Sequence, residues 1–363
     1  MPPVPRHLPA WSLIVPIVAI GFAATQLTGV LPASPIAIAA AALLLGGGVF
    51  ASVHHAEVVA LKVGEPFGSI VLAIAVTVIE VALILSLMLA AGYSGDTLAR
   101  DTVYATVMIV LGGIVGLCLV LGGARHREQV FQTQGAGAAL SVLGTLAIVA
   151  LVLPNYLLSA PGPLLSTVQL IVVGALSVVL YAVFLFVQTI RHRDYFLPEE
   201  RDLAEAHAAP PRGAVALGSL GLLLVALAGV VLLAKSLAPT LEQVVARAGL
   251  PSTVVGVVIA GVVLLPEGIA AVRSARANRL QISLNLALGS ALATIGLTIP
   301  IIGLASLLLG KPLALGLGPT ATVLLLLALF VSTITLATGR STILHGSVHL
   351  VVFAVFLLAA FVP

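Results

Sequence analysis

Two glutamates lie inside long apolar stretches, and their type and position could support ion chemistry. Glu80 lies within residues 64–89, and Glu267 lies within residues 254–300. Glu80 follows Glu65 by 15 residues, which is about 22 Å along a helix, so a membrane-spanning helix would hold it deep in the bilayer. A charge at that depth costs about 2.5–3.5 kcal/mol, which makes both acids candidates for a functional site.

The chemistry that we expect of these acids is reversible binding of protons and cations. A low dielectric opposes a bare carboxylate, so each group would hold a proton until a cation replaces it. Competition for the same pair of carboxylates would couple the two ions without a separate device. Pro266 removes a backbone donor beside Glu267 and can break the helix, which would expose carbonyls to a cation. A purely structural role, with each carboxyl bonded to a backbone carbonyl, remains open.

The composition is that of a membrane protein. Hydrophobic residues make up 60% of the chain and charged residues 8%, whereas a soluble domain has about 25% charged residues. The apolar stretches are long and continuous, which favours an all-α polytopic protein over a β-barrel. The basic residues are scattered, and no phosphate loop is present, so we expect neither nucleic acid nor nucleotide as a partner, and no cofactor.

Eleven stretches are long and apolar enough to span a bilayer. They lie near residues 11–31, 35–52, 65–92, 103–123, 138–158, 164–190, 214–237, 251–272, 280–309, 320–338 and 342–362. With a cytoplasmic N-terminus, twelve of the 16 Lys and Arg residues fall on the inner side. This bias predicts a multi-pass protein of the bacterial inner membrane with a periplasmic C-terminus.

The positions of the two glutamates predict an internal repeat. We divide the chain into an N-terminal region with the first span, a first five-span repeat, a cytoplasmic acidic linker and a second five-span repeat (residues 1–33, 34–190, 191–213 and 214–363). Glu80 and Glu267 then occupy the second span of each repeat. An odd number of spans inverts the second repeat, as in transporters with a binding site at the membrane midplane. The linker is either a solvated connection or an acidic segment that concentrates cations near an entrance.

Residues 264–300, LLPEGIAAVRSARANRLQISLNLALGSALATIGLTIP, resemble the second signature of the calcium/cation antiporter superfamily. The first stretch is similar to the first signature at Glu57, Glu65 and Glu80. The specific similarity is to the bacterial branch that exchanges calcium, sodium or potassium for protons. It implies a secondary antiporter in which Glu80 and Glu267 bind the transported ions, and inorganic cations, protons and the lipid bilayer as partners.

The chain departs from the family pattern around both glutamates. The family usually has Gly-Asn-Ala before each glutamate, but here Ile79 and Pro266 directly precede them. Gly268 replaces a frequent histidine, and Gly112-Gly113 stands where the first signature closes with Gly-Ser. Since the missing Asn side chains help to complete the calcium shell in strict calcium exchangers, we expect a permissive exchanger that moves sodium and potassium as well as calcium.

Other polar residues are secondary candidates. Thr77 is one turn before Glu80, and Asn285 and Ser290 follow Glu267; each is a possible ligand or a plain packing residue. Possible access residues lie nearer the membrane surfaces: Glu57 and Glu65 on the cytoplasmic side, and Asp101 and Tyr104 outside.

His345 and His349 share one face of the last span, which suits either zinc or polar packing.

The sequence therefore predicts export of Ca²⁺, Na⁺ or K⁺ from the cytoplasm in exchange for H⁺. A cation channel, or another ion-conducting membrane protein, is the alternative, although a channel should have a continuous polar lining. An intramembrane enzyme would need a paired catalytic set at depth, and none is evident in the sequence.

Overall fold

The computed structural model describes residues 8–30, 34–64, 67–89, 95–197 and 211–362. Within these ranges, eleven helices are long and apolar enough to cross a membrane, judged by length and composition. The prediction of an all-α polytopic membrane protein with eleven spans is confirmed.

The helices of the first half are separated by short connections. They are α1 (Ala10–Leu27), α2 (Pro35–Val63), α3 (Phe67–Met88), α4 (Leu98–Met108), α5 (Val115–His126), α6 (Thr133–Ala147) and α7 (Thr167–Phe186). The second half contains α8 (Gly213–Arg247), α9 (Thr253–Arg276), α10 (Leu280–Ala293), α11 (Ile299–Leu309), α12 (Pro319–Ala337) and α13 (Ile343–Phe361). One two-stranded antiparallel ladder, which the sequence did not predict, pairs β1 (Gln129–Val130) with β2 (Arg340–Ser341).

Two spans run well beyond their predicted ends. The predicted end of the 35–52 span was wrong because α2 continues to Val63, through the polar residues His54, His55 and Glu57. The predicted end of the 214–237 span was wrong because α8 continues through Pro239 to Arg247. At 29 and 35 residues, these helices are about 44 and 52 Å long, more than the hydrocarbon core requires.

Four π-helical segments interrupt the spans in the described part of the chain. They are Ile109–Ile114 between α4 and α5, Ile148–Val152 after α6, Val187–Arg191 after α7, and Thr294–Thr298 between α10 and α11. A π turn inserts one extra residue into a helix and is frequent at functional sites. The first and last of these segments are central here, since each lies in the third span of a predicted repeat.

The chain forms two compact units, each built from both halves of the sequence. The first unit combines the described parts of Met1–Ser94 and Leu203–Gly249, and so contains α1, α2, α3 and α8. Small residues let these helices approach closely: Ala19, Ala23 and Ala41 form one buried cluster with Leu233. A second cluster of Ala56, Ala75 and Leu223 joins α2, α3 and α8.

The second unit combines the described parts of Gly95–Asp202 and Leu250–Pro363. Its helices pack in a pattern that occurs twice. A Cβ added at Gly112 would lie 2.9 Å from Cβ of Phe353, and one at Gly346 would lie 2.7 Å from the carbonyl oxygen of Gly116. These contacts join the Ile109–Ile114 segment and α5 to α13.

The equivalent contacts join the Thr294–Thr298 segment and α11 to α7. A Cβ added at Gly296 would lie 2.8 Å from Cβ of Tyr181, and one at Gly174 would lie 3.6 Å from Cα of Pro300. In both cases the second contact lies four residues further along one helix and seven residues back along the other. The fifth span of each predicted repeat therefore packs on the broken third span of the other repeat. The repeat boundaries themselves stay a prediction.

An extended segment closes one end of the second unit. Residues 313–317 are buried although they are not helical. Four backbone N–H groups of this segment donate to carbonyl oxygens: Ala314 to Asp96 (2.8 Å), Leu315 and Gly316 to Pro163 (3.2 and 3.0 Å), and Leu317 to Leu151 (2.8 Å). Irregular backbone at membrane depth requires such internal partners.

Candidate functional site

Glu80 belongs to the first unit and is 1% exposed. It lies on α3, in a helix whose other residues are almost all apolar. Thr77, one turn earlier, is also buried, and its hydroxyl has no hydrogen-bond partner among the described residues. The two side chains are close enough along α3 to act on one ion, so Thr77 retains its place as a candidate secondary ligand.

Glu267 belongs to the second unit and is 7% exposed. It lies on α9 directly after Pro266, and the helix continues through both residues to Arg276. Pro266 thus removes one backbone donor without ending the helix. The expected break at this proline is absent from α9, and the helix interruption lies instead in the neighbouring third spans.

The position of Glu267 is set by close packing of α9 on α4 and on the π-helical segment that follows α4. A Cβ added at Gly256 would lie 2.8 Å from the backbone of Asp101, and one at Gly268 would lie 3.3 Å from Cδ1 of Ile114. Each helix advances by about twelve residues, or about 18 Å, between these contacts, so the two run in the same direction. Glu267 is therefore level with the end of the π-helical segment Ile109–Ile114.

Glycines lie at close helix contacts in both units. A Cβ at Gly113 would lie 3.3 Å from the Phe353 ring, and one at Gly48 would lie 2.9 Å from Val230. Gly112-Gly113 stands where the family that the chain resembles has Gly-Ser. Both glycines are π-helical and pack closely against α13. Carbonyls, rather than a serine hydroxyl, are the polar groups that this segment can offer near Glu267.

Asn285 uses its amide in a chain of hydrogen bonds at the end of α10 nearer the linker. Its Oδ1 accepts from Gln281 at 3.0 Å, and its Nδ2 donates to the carbonyl of Phe196 at 2.6 Å. Gln281 in turn accepts from the backbone of Gln132 at 2.7 Å. Asn285 therefore holds the described start of the linker, residues 191–197. Ser290, five residues further on, has a buried hydroxyl with no hydrogen-bond partner in the described ranges.

Of the two acids predicted to form the cytoplasmic access path, Glu57 and Glu65, the structure describes only Glu57. Glu57 lies on α2 with an exposed side chain. Glu65 lies outside the described residues. Most of the acidic linker, including Glu199, Glu200, Asp202 and Glu205, lies outside them as well.

Asp101 forms a buried ion pair at the predicted external end of the second unit. Its Oδ1 lies 2.8 Å from Nη2 of Arg100, and its Oδ2 accepts from the hydroxyl of Thr97 at 3.0 Å. Arg100 also donates to the carbonyl of Gly316 at 3.0 Å. The guanidinium therefore ties the start of α4 to the extended segment, and every charge in this group is compensated.

A cavity of about 240 Å³ lies beside this ion pair. Its walls come from the starts of α4, α9 and α12 and from the end of α13, including Tyr104, Thr253 and Phe356. These helix ends share one side in an alternating arrangement, the side that the charge bias assigns to the periplasm. The Tyr104 hydroxyl is buried without a hydrogen-bond partner in the described part of the chain, so the cavity has an unsatisfied polar wall.

The two histidines of α13 have separate partners. The Nδ1 of His345 accepts from the backbone of Thr342 at 3.3 Å and completes a capping box. His349 is buried, and its Nδ1 lies 2.6 Å from the carbonyl oxygen of Leu111. Sequence reasoning missed this contact, the π-helical segments and the Arg100 bridge. Gly112-Gly113 in one third span, and Gly296 with Pro300 in the other, were weak signals for the interrupted helices, but nothing in the sequence paired His349 with Leu111.

Eleven long apolar helices, two of which carry a buried glutamate, define the class as a polytopic membrane transporter. The chain belongs to the sodium/calcium exchanger family, because the family model described as "Sodium/calcium exchanger protein" matches residues 33–190 and 218–362. This finding confirms the resemblance to the calcium/cation antiporter superfamily.

Two relatives match this chain over almost its whole length. The chain is 55% identical to the protein named ionic transporter y4hA of Sinorhizobium fredii, covering 98% of this chain and 97% of the relative. It is 36% identical to the sodium-potassium/proton antiporter ChaA of Escherichia coli, with 96% of both chains covered. The solved structure of native YfkE has a TM-score of 0.74 at 18% identity, covering 97% of this chain and 100% of that one, which shows a shared fold.

Proposed function

We propose that this protein is a secondary active cation/proton antiporter that exports Na⁺, K⁺ or Ca²⁺ from the cytoplasm in exchange for H⁺. The observation that carries the proposal is the burial of one glutamate in each of two membrane-spanning helices. Family membership supports an exchanger, and the relative ChaA is named for sodium, potassium and proton exchange.

In the proposed mechanism, Glu80 and Glu267 each bind either a proton or a cation. A buried carboxylate needs a positive partner, because a bare charge in a low-dielectric site is costly. Proton and cation therefore exclude each other at the same oxygens, and the loaded forms are the ones that can lose contact with water. This exclusion couples the two fluxes, and the proton gradient supplies the free energy.

The residues beside the glutamates favour broad cation selectivity. Calcium takes 6–8 oxygen ligands. In strict calcium exchangers of the family, asparagine side chains beside the glutamates help to supply them, but Ile79 and Pro266, which directly precede the glutamates here, offer no side-chain oxygen. Thr77 and Ser290 can supply hydroxyl oxygens, and the π-helical segments can supply carbonyls. Such ligands give less negative charge than a dedicated calcium site, which suits monovalent cations as well.

We further propose that the cavity beside Asp101 is the periplasmic access route to Glu267. Asp101 and Tyr104 line it, and Glu267 lies about 16 Å further along α9 from the contact of Gly256 with Asp101. The Arg100–Asp101 pair is neutral as a whole, so it presents polar groups to a passing ion without a net repulsive charge. The charge bias supports a location in the bacterial inner membrane with the N-terminus in the cytoplasm.

Reconstitution into proteoliposomes tests this function. Vesicles loaded with a pH-sensitive dye and held at zero voltage receive external Na⁺, K⁺ or Ca²⁺ in separate samples. An antiporter moves protons outward only when a transported cation is present, so the lumen becomes alkaline. Cation uptake without any proton movement would instead show a channel and reject the proposal.

A further inference from the structure

The described helices contain one buried histidine that the exchange mechanism does not use and that bonds directly to a π-helical segment. His349 is 2% exposed, on α13, and its Nδ1 lies 2.6 Å from the carbonyl oxygen of Leu111. A carbonyl can only accept, so Nδ1 carries the proton and donates. Leu111 lies in the middle of the Ile109–Ile114 segment.

Plain packing does not account for a histidine at this position. Its second nitrogen, Nε2, is buried without a hydrogen-bond partner in the described part of the chain, and an unpaired buried polar atom costs free energy. A leucine would fill the same space without that cost. The hydrogen bond to Leu111 is what the histidine adds.

The packing pattern that occurs twice in the second unit allows His349 to be compared with the residue at the equivalent position of α7. Phe353 and Tyr181 occupy equivalent positions against Gly112 and Gly296. One turn before each of them stand His349 on α13 and Ser177 on α7. Ser177 donates to its own helix, at the carbonyl of Val173 (2.8 Å). Only the α13 member of this pair therefore reaches across to a π-helical carbonyl.

The π-helical segment that His349 holds also contacts the helix of Glu267. Ile114, the last residue of the segment, packs against α9 at Gly268, the residue after Glu267. A π turn carries one extra residue, and rewinding it into a regular α-helix would rotate the following residues by about 100°. Such a rotation would move Ile114 away from Gly268 and release the turn that carries Glu267.

We propose that His349 is a positioning residue for cation binding at Glu267: its Nδ1–H fixes the Leu111 carbonyl and so maintains the π turn against α9. This inference rests on the proposed function for its transport readout. The affected ligand is the transported cation. If the π turn rewinds and the Glu267 carboxylate becomes mobile, fewer oxygens converge on the cation, and its affinity falls.

Three substitutions separate this role from simple packing. His349→Leu removes the donor and keeps the volume. In His349→Asn the amide nitrogen stands where Nδ1 was and can still donate to Leu111. Ser177→Ala is the matched control at the equivalent position of the other repeat.

Sodium-dependent proton release in proteoliposomes should show an apparent KM for Na⁺ raised about five- to tenfold in His349→Leu, with little change in maximal rate. His349→Asn should restore most of the affinity, and Ser177→Ala should match the wild type. An Asn variant no better than the Leu variant, or a Leu variant with wild-type KM, overturns the proposal.

The single cysteine gives a readout that does not depend on transport. Cys118 is the one cysteine in the sequence, it is fully buried, and it lies four residues beyond Ile114. In purified protein, N-ethylmaleimide should label Cys118 several-fold faster in His349→Leu than in the wild type, His349→Asn or Ser177→Ala. Equal labelling rates in all four proteins reject the positioning role. Wild-type protein that exchanges no ions, with the labelling difference intact, rejects the proposed function alone.

Discussion

At the scale of single residues, the two buried glutamates have different surroundings. Glu80 is accompanied on α3 by the buried hydroxyl of Thr77, whereas Glu267 follows a proline and lies beside the π-helical segment at Ile114. The first site offers a side-chain oxygen, and the second offers backbone carbonyls nearby. Both nevertheless share the property on which exchange depends, which is a carboxyl group removed from water.

Neutralising either glutamate should abolish exchange. Glu80→Gln and Glu267→Gln keep the shape of the side chain but can neither release a proton nor compensate a cation. We expect no cation-dependent proton movement from either variant, and normal membrane insertion. Glu128→Gln is the control, because Glu128 is a surface residue paired with Arg340 at 3.4 Å. Wild-type transport by either test variant would remove that glutamate from the mechanism.

Breaking the buried ion pair at the external end should destabilise the protein. Asp101→Asn leaves the Arg100 guanidinium, whose side chain is 16% exposed, without its charged partner, at a cost of about 3 kcal/mol. Thermal unfolding in detergent should show a lowered Tm. The double variant Arg100→Gln/Asp101→Asn should recover much of that loss, and a double variant as unstable as the single one would contradict the pairing argument.

At the scale of elements, the sequence predicted all eleven spans of the described residues, two of them too short, but not the irregularities within them. Long apolar stretches identify membrane helices because length and hydropathy alone decide whether a helix can cross. The extra residue of a π turn leaves no such mark: residues 109–114 and 294–298 are as apolar as their neighbours. The predicted span 35–52 ended before the polar residues of α2, but the helix continues through them, and His55 is satisfied inside the protein by the Ser12 carbonyl at 2.8 Å.

The two glutamates of the candidate site could be predicted from the sequence, but the contacts around them could not. A deep carboxylate is conspicuous in an apolar stretch, so Glu80 and Glu267 could be found from the sequence. Partners that are distant in sequence could not: Asn285 with Phe196, Arg100 with Gly316, and His349 with Leu111 depend on how the helices pack. These contacts decide which polar residues remain available to an ion.

The broken third spans should tolerate no added volume at their contact glycines. Gly112→Ala places a methyl group 2.9 Å from Phe353, so we expect a loss of about 1–3 kcal/mol from overpacking. Gly137→Ala is the matched control on α6, where nothing lies within 4 Å, and helix propensity favours alanine there. Equal Tm values for the two variants would contradict the packing described for α13.

At the scale of the whole molecule, charge placement predicts one orientation. Reporter fusions at residue 200 and at the C-terminus should report opposite sides of the membrane, with the linker in the cytoplasm. A cytosolic reporter fused at residue 200 should be active, and the same reporter at the C-terminus should be inactive. The same side for both positions would contradict the inverted-repeat hypothesis.

Competition between protons and cations also predicts how the rate depends on pH. A glutamate must lose its proton before it can bind a cation, so raising the pH on the loading side favours cation binding. Sodium-dependent exchange in inverted vesicles should therefore rise as the medium becomes alkaline, with a falling KM for Na⁺. A KM that is independent of pH would show that the two ions do not share a site.

The most direct test of the central claim is uphill transport driven by protons alone. Proteoliposomes with an acidic lumen, clamped at zero voltage, are placed in a more alkaline medium that contains the same concentration of labelled Na⁺ as the lumen. The account predicts that Na⁺ accumulates inside above its external concentration while protons leave, and that neither Glu80→Gln nor Glu267→Gln supports this accumulation. Luminal Na⁺ that never exceeds the external concentration, despite rapid isotope exchange, would contradict secondary active antiport.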